Sequence, residues 1–475
     1  MKYKTLIGIE IHSQLLTETK AFCGCANVFG GDVNSHCCPV CMGMPGTLPV
    51  LNKEMIRFAV TAGLATHCKI EKHTKMDRKN YFYPDLTKGY QISQYDKPLC
   101  YEGYVPIKDA HGNMKKIRLI RIHMEEDTGK SLHDGSGESM IDYNRAGVPL
   151  IEIVSYPDMN SADEAYQYLE NLKEILLFSG VSDVKMEQGS LRCDVNVNVV
   201  SESGKKSKIV ELKNLNSFKA VQKAISYEEK RHIELLENGL DTEKETRRWD
   251  EVTQTTLPMR SKENVQDYRY FPEPDIVDIN LTDEYIEEIR RQIPEMPADK
   301  RNRFVTEYKI SEDDAAILNS SEKLSAYYEN IVKLTGEPIL SANFILSELL
   351  RRLKETGEEI GSEKFTPEEL SYIIKITAEN KINNNTAKKV FRKMFEEGIN
   401  PENYIKEKGL IQVQDENLIR NIVKKVISDN PSSISDIKNG KDRAFGFLVG
   451  QVMKESKGKA NPQMVNLILK EEIKM

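Results

Sequence analysis

Residues 191–199 read Leu-Arg-Cys-Asp-Val-Asn-Val-Asn-Val, a strict alternation of polar and apolar side chains. In an extended chain successive side chains take opposite faces, so Asp194, Asn196 and Asn198 share one face and Val195, Val197 and Val199 the other. Four more segments carry acidic groups inside strand-like apolar runs: IGIEIH (7–12; Glu10, His12), IRIHMEED (120–127; Glu125), PLIEIVS (149–155; Glu152) and KIVELKN (208–214; Glu211). Two readings fit such patterning. The polar positions face water, as in an ordinary two-faced antiparallel sheet. Alternatively, they line a ligand face, because burying so many carboxylates requires a charge partner. Oxygen-rich sites suit Mg²⁺, and on an enzyme that points toward nucleotide phosphate and phosphoryl transfer.

Working outward, the first ~290 residues mix strands with a few helices. The stretch from Asn160 to Gly180 predicts a helix opened by a Ser161/Glu164 capping box, with Ala165, Tyr168, Leu169, Leu172, Ile175 and Leu176 on one face. A second helix is predicted from about Ser217 to Gly239. Beyond Pro294 strand signals vanish, and short helices such as DDAAILN, KLSAYYENIVKL and SANFILSELLRRL follow. Another break falls near Asn400–Pro401, after which two helical stretches are expected to flank a loop, NPSSISDIKNGKDRA. These breaks divide the chain into 1–293, 294–402 and 403–475.

With 475 residues, 39% hydrophobic and 30% charged, the composition is that of a soluble multidomain chain. No apolar run reaches the ~20 residues of a membrane span, and MKYKTLIGIEIHSQ lacks a signal-peptide core, so the expected location is the cytoplasm without membrane contact. Net charge is −7, but residues 403–475 hold 13 Lys/Arg against 9 Asp/Glu, leaving −11 on the first 402. A basic tail on an acidic body suits a polyanion gripped at one end; a solvated surface with chance asymmetry is the plainer alternative.

Five of the eight cysteines lie within residues 23–41, in FCGCANVFGGDVNSHCCPVC. In a cytoplasmic chain such clustering argues for metal rather than disulfides. Cys23, Cys25, Cys38 and Cys41 are the expected zinc ligands, with Cys38 and Cys41 forming a two-residue knuckle; Cys37 and His36 are rivals. Four thiolates close the shell, so the zinc is structural. Nucleotide motifs are missing: DTGKS (127–131) mimics the end of a phosphate loop, but Met124 stands where that loop needs Gly. In DRKNYFYPDLTKGYQISQ, Lys79 and Lys88 are candidate phosphate cations, and Tyr81, Phe82 and Tyr83 are candidate stacking groups. An aromatic turn packed on the sheet fits the composition equally well.

Nine blocks in order, VNSHCCPVCMGMPGTLPVLN (33–52), DRKNYFYPDLTKGYQISQYDKPL (77–99), RIHMEEDTGKSLHD (121–134), DYNRAGVPLIEIVSYPDM (142–159), MEQGSLRCDVNVNV (186–199), ELKNLNSFKAVQKAI (211–225), ETRRWDE (245–251), DYRYFPEPDI (267–276) and GFLVGQVMKESKGKANPQMVNLIL (446–469), together resemble the B-subunit family of bacterial aspartyl/glutamyl-tRNA amidotransferases. The resemblance covers essentially the whole chain. It implies an α+β fold, with a cradle-like mixed-sheet N-terminal domain bearing a kinase-like active site, then an all-helical domain and a small helical tail. It implies ATP-dependent phosphorylation of the side-chain carboxylate of Glu-tRNA(Gln) or Asp-tRNA(Asn), followed by attack of ammonia delivered by a glutaminase A subunit, in a complex that also holds a C subunit.

Carried onto this sequence, the resemblance implies Mg²⁺ ligation by Glu10, His12, Glu125 and Glu211, with Glu152, Asp194 and Asn196 in or beside that shell. It implies contacts from Lys79, Tyr81 and Lys88 to ATP or the tRNA 3′ end, and zinc at Cys23, Cys25, Cys38 and Cys41, with Cys37 a departure from the family pattern. It implies that the tail grips tRNA. Lys438, Lys441, Arg443, Lys454, Lys457 and Lys459 suit phosphate contacts there, and Gly446 and Gly450 suit close helix packing.

Overall fold

The computed structural model describes residues 3–133, 139–259, 267–411, 416–438, 442–456 and 460–473. The chain divides into two compact units, Met1–Pro297 and Ala298–Met475.

The first unit is built on a nine-stranded sheet: β1 (Tyr3–Gln14), β2 (Lys69–Ile70), β3 (Cys100–Lys108), β4 (Met114–Glu126), β5 (Pro149–Ser155), β6 (Leu191–Ser201), β7 (Val210–Lys213), β8 (Glu245–Asp250) and β9 (Thr255–Pro258). Their order is β9-β8-β7-β6-β1-β5-β4-β3-β2. All neighbours are antiparallel except β7 and β8. Strand alternation sorts the two faces. Ile7, Ile9, Ile11, Ile151, Ile153, Val195, Val197, Val210 and Leu212 enter one core with helices α1 (Lys53–Ala65), α2 (Ala162–Phe178) and α3 (Phe218–Glu237). Each such side chain, fully buried, contributes roughly 1.5–3 kcal/mol. That leaves the other face to the polar residues.

Both predicted helices form. Ser161 caps α2 through the Glu164 N–H, but the capping box does not close on itself: Glu164 Oε2 accepts from Asn160 N at 2.7 Å and from Lys115 at 2.7 Å. Ser217 caps α3 through the Ala220 N–H.

One irregularity decides the site. Between β4 and β5 the register jumps, Val154 facing Arg121 while Ser155 faces Leu119. The extra residue, Ile120, switches the phase of β4. Ile117 and Leu119 point into the core before the bulge, and Ile122 and Met124 do so after it. Without that slip His123 and Glu125 would sit on the apolar face; with it they join Glu152 on the polar one.

The second unit has two apolar cores. One gathers residues between Phe304 and Ile405, including Tyr328, Leu349, Ile374 and Phe391. The predicted run SANFILSELLRRL is interrupted by a π-helical turn, Ile345–Leu349. The other core gathers Ile419, Val423, Leu448, Val452, Ile468 and Leu469 from helices Glu416–Asp429, Pro431–Lys438, Asp442–Glu455 and Pro462–Ile473. Two expectations fail here. Pro431–Lys438 is a helix rather than a loop, because a proline in the first turn has a fixed helical φ and lacks only an N–H that the helix would leave unbonded. Gly446 and Gly450 do not mark a tight crossing: a Cβ placed on either meets nothing within 4 Å. No helix among the described residues is long and apolar enough to cross a membrane.

Candidate active site and cysteine centre

Register places four polar residues in one row across four strands: Arg192 on β6 faces His12 on β1, His12 faces Glu152 on β5, and Glu152 faces His123 on β4. At ~4.8 Å between strands, such a row forms a continuous patch of titratable groups. Glu125 joins it two residues along β4. His12 Nε2 lies 3.1 Å from Glu125 Oε1 and 3.7 Å from Glu152 Oε2, and His123 Nε2 lies 3.1 Å from Glu152 Oε2. Glu125 is 1% exposed and Glu152 9%, so these carboxylates are held in a medium that demands a cation.

The electrostatics follow. Burial opposes charge on His12, yet the hydrogen bond to Glu125 and the charges of Glu125 and Glu152 prevail and push it up to about 9. Burial likewise opposes ionisation of both glutamates, but His12 and its hydrogen bond hold Glu125 below the usual carboxylate range, and His123 does the same for Glu152. One oxygen, Glu125 Oε2, is buried without a hydrogen-bond partner, as is His123 Nδ1. Ligand atoms of His12, Glu125 and Glu152 all fall within 4.8 Å of one another. An unsatisfied buried carboxylate oxygen among them is the arrangement a divalent cation completes.

Beside this centre lies a second carboxylate group. Glu10 faces Asp194 across the β1–β6 register and accepts from Asn196 Nδ2 at 3.1 Å. Its pKa is raised, first by burial and then by repulsion from Glu152, Asp194 and Glu211. Lys213 bridges Asp194 and Glu211, at 2.9 Å from the latter, and Thr246 donates to Glu211 Oε2 at 2.7 Å. Thus Glu152, rather than Glu10 or Glu211, completes the set around His12 and Glu125. Glu10, Asp194, Asn196 and Glu211 form the adjoining cluster.

Of the predicted cations, Lys79 belongs to this centre and Lys88 does not. Burial disfavours the charged Lys79 ammonium, but Glu125, Tyr270 and Glu152 outweigh it and raise its pKa. Its Nζ lies 5.0 Å from the Tyr268 ring and 5.9 Å from the Tyr81 ring, within cation–π reach. Lys88 instead bonds Glu126 at 2.5 and 2.7 Å, one residue past Glu125 and therefore toward the opposite side of the strand. There it lines a cavity of about 120 Å³ with Phe22, Cys23, Cys41 and Tyr90.

Sulfur atoms of Cys23, Cys25, Cys38 and Cys41 fall within 4.8 Å of one another, as a tetrahedral metal requires. Cys37 Sγ turns away to Asn144 Oδ1 at 3.9 Å. His36 stays in its own loop, where its backbone N–H donates to Asn144 Oδ1 at 2.8 Å. The thiol hydrogen bond from Cys23, the Cys38 N–H and the nearby Lys20 ammonium together hold Cys41 low, against burial. Lys20 is fully buried, with Nζ 2.8 Å from His36 O, 3.4 Å from Tyr143 O and 3.8 Å from Cys41 Sγ.

Sequence reasoning missed His123, Arg192 and Lys213. Each lies two residues from a carboxylate already singled out, so the period of the strand was the available signal. In the tail, Lys454 is exposed on the helix Asp442–Glu455. Lys441, Lys457 and Lys459, with the side chains of Lys438 and Arg443, lie outside the described residues.

Residues 5–287 match the family model described as GatB/GatE catalytic domain, and residues 326–473 match that described as GatB domain. The chain is 55% identical over 474 residues, covering 100% of both chains, to the B subunit of the aspartyl/glutamyl-tRNA(Asn/Gln) amidotransferase from Finegoldia magna. It is 55% identical over 477 residues to the same-named protein of Thermoanaerobacter sp. strain X514, again covering 100% of both. The match to that of Clostridium tetani is 50% over 474 residues, covering 100% of this chain and 99% of the other.

Proposed function

Because the chain belongs to the family of aspartyl/glutamyl-tRNA(Asn/Gln) amidotransferase B subunits, we propose that its polar sheet face activates the side-chain carboxylate of a misacylated tRNA for amidation. The reaction converts Glu-tRNA(Gln) or Asp-tRNA(Asn) to Gln-tRNA(Gln) or Asn-tRNA(Asn). A carboxylate oxygen is a poor leaving group that ammonia does not displace unaided. In our reading, that oxygen attacks the γ-phosphorus of ATP, and the bond to ADP breaks with its electron pair. Ammonia then adds to the acyl carbon and orthophosphate departs.

The observation that carries this reading is the buried Glu125 Oε2, which has no hydrogen-bond partner and only His123 Nε2 at 3.8 Å, beside His12 and Glu152 and within the field of Lys79. His12, Glu125 and Glu152 would hold Mg²⁺, with Glu10 and Glu211 reaching it directly or through water; bound there, it would offset the charge of the phosphates. Lys79 adds a fixed positive charge where the anionic nucleophile and the anionic phosphate must approach. Tyr81 and Tyr268 flank that ammonium and shield it from water. Lys88, paired with Glu126, takes no part in this contact set.

Cys23, Cys25, Cys38 and Cys41 would hold a structural zinc, which pins residues 23–41 and takes no part in the chemistry. The glutaminase activity belongs to a partner A subunit, assembled with a C subunit and tRNA in the cytoplasm. Domains 1–293, 294–402 and 403–475 divide the work, with the basic tail (Lys438, Lys441, Arg443, Lys454, Lys457, Lys459) reserved for tRNA phosphates.

The test uses the chain co-expressed with its A and C partners, supplied with ATP, Mg²⁺, glutamine and Glu-tRNA(Gln). Formation of Gln-tRNA(Gln) by wild type and its loss in Glu125→Gln are expected. Failure of the wild type with this substrate and with Asp-tRNA(Asn) refutes the reading, and full activity of Glu125→Gln refutes the assignment of the site.

A further inference from the structure

Arg192 stands at the end of the row that runs through His12 and Glu152. Its guanidinium is pinned at one corner only: Nη2 donates to Asp127 Oδ2 at 2.6 Å. Its Nε is buried and has no hydrogen-bond partner. About a third of the side chain remains exposed, at 37%, so the group is both fixed and reachable. Its charge acts on His12, lowering that residue's pKa; against burial, Asp127 by charge and hydrogen bond, with smaller help from Glu125 and Asp194, raises its own.

Asp127 explains the fixed position. It is 5% exposed and surrounded by donors. Besides Arg192, Gln14 Nε2 donates to it at 3.2 Å, the Thr128 N–H at 2.9 Å, and Arg145 Nε lies 3.5 Å away. Arg145 spends its own donors on backbone carbonyls, Thr128 O at 3.0 Å and Gly129 O at 2.8 Å. Arg192 makes no such backbone bond, and its remaining donors stay available. A buried N–H without an acceptor is destabilising, and a bound anion relieves it. A guanidinium offers planar paired donors that match a phosphoryl group.

We propose that Arg192, oriented by Asp127, is a catalytic residue that binds the phosphoryl group as it passes from ATP to the side-chain carboxylate of the aminoacyl-tRNA. This rests on the amidation reading given above. In the step itself the carboxylate oxygen forms a bond to the γ-phosphorus, and the bond from that phosphorus to the β-phosphate bridging oxygen breaks with its electron pair left on ADP. Arg192 gains and loses no proton. Its Nε and free Nη hydrogens donate to the equatorial oxygens, whose charge the row of carboxylates would otherwise repel. Asp127 is the positioning residue.

The experiment compares wild type, Arg192→Ala and Arg192→Lys, each assembled with its A and C partners. tRNA-dependent release of ADP is followed with Glu-tRNA(Gln) and with ammonium chloride as nitrogen source. Arg192→Ala is expected to lower kcat by about 10²–10³-fold, the usual loss of one preorganised donor to developing anionic charge. KM for the tRNA should stay within about threefold, since the contact is made to the group in transfer. Added guanidinium chloride should restore about tenfold of the lost rate in Arg192→Ala and nothing in Arg192→Lys, whose ammonium fills the place but lacks the fork.

A kcat within about threefold of wild type overturns the proposal. So does a loss that guanidinium does not relieve and that comes with an equal rise in KM, the mark of a merely structural group. If Arg192→Ala does not assemble, Arg192→Lys decides alone: about a tenfold drop in kcat at unchanged KM supports the proposal, and wild-type kcat refutes it. An inactive wild type removes the amidation reading itself, a different failure from an active wild type with indifferent variants.

Discussion

Replacing Lys20 with methionine keeps the buried stem and deletes only the ammonium. Lys20 Nζ lies 3.8 Å from Cys41 Sγ, in a fully buried position. In the metal-free protein the nearest negative charge is the Cys41 thiolate. Four thiolates around Zn²⁺ carry a net charge of −2, one unit more. That extra unit is centred on a metal ~2.3 Å beyond the sulfur, roughly 6 Å from Nζ, where an effective dielectric of ~20 makes it worth about 3 kcal/mol. Lost hydrogen bonds to His36 O and Tyr143 O weaken both states equally and cancel. By linkage the difference appears as metal affinity, so Lys20→Met should bind zinc about 100-fold more weakly than wild type. Competition against a chromophoric chelator, with the full chain at neutral pH, measures the ratio directly. An affinity within about threefold of wild type would show that the ammonium does not sense the thiolate centre, and the electrostatic account of Lys20 would be wrong.

Two further predictions concern pH. In the metal-free protein His12 is held up to about 9, so its stabilising charge is fully present below about 6.5 and is lost as pH rises through about 9. A cation bound at Nε2 must displace that proton, so Mg²⁺ affinity should climb up to about tenfold per pH unit between pH 7 and 9; calorimetric titration giving equal affinities would remove His12 from the ligand set. His232 shows the opposite sign. It is fully buried, and burial, helped by the Arg231 charge, lowers it to about 4. The stability tied to its neutral form is complete above about 6.5 and is lost as pH falls toward 4. His232→Gln should therefore flatten the acid limb of thermal melting, and an unchanged limb would place acid sensitivity elsewhere.

Local alternation was enough to reveal which residues share a face. Glu10 with His12, and Asp194 with Asn196, follow from a period of two without any knowledge of neighbours. Which strands lie side by side was not legible, because β1 pairs with β5 and β6, more than 130 residues away. Hence the choice of Glu152 over Glu211 beside His12 and Glu125 belongs to register alone. The bulge at Ile120 left only a faint trace, the adjacent pair Leu119-Ile120 where strict alternation asks for one apolar residue. The separation of Lys88 from Lys79 was hidden for a related reason: the two sit in one block of sequence, yet the acceptor of Lys88, Glu126, lies on the far side of the strand from Glu125. Among the cysteines, spacing pointed to Cys38 and Cys41, but only the turn toward Asn144 separates Cys37 from them.

The place of β1 has a consequence for how the chain is made. Residues 3–14 are translated well before either of the strands that flank them, which end at residues 155 and 201. At ~5–20 residues per second a ribosome needs roughly 10–40 s to supply the second of these partners. Until residue 155 is made Ile7, Ile9 and Ile11 have no partner strand, and a short apolar β-prone segment is kept waiting. The polar row cannot be completed until the second partner is made, since Arg192 lies on β6, the latest made of the three strands that carry His12, Glu152 and Arg192. A chain stalled before residue 191 would thus hold Glu10, Glu125 and Glu152 but lack Asp194 and Glu211, and β1 would be paired on its β5 side only, with its other edge open to a foreign strand.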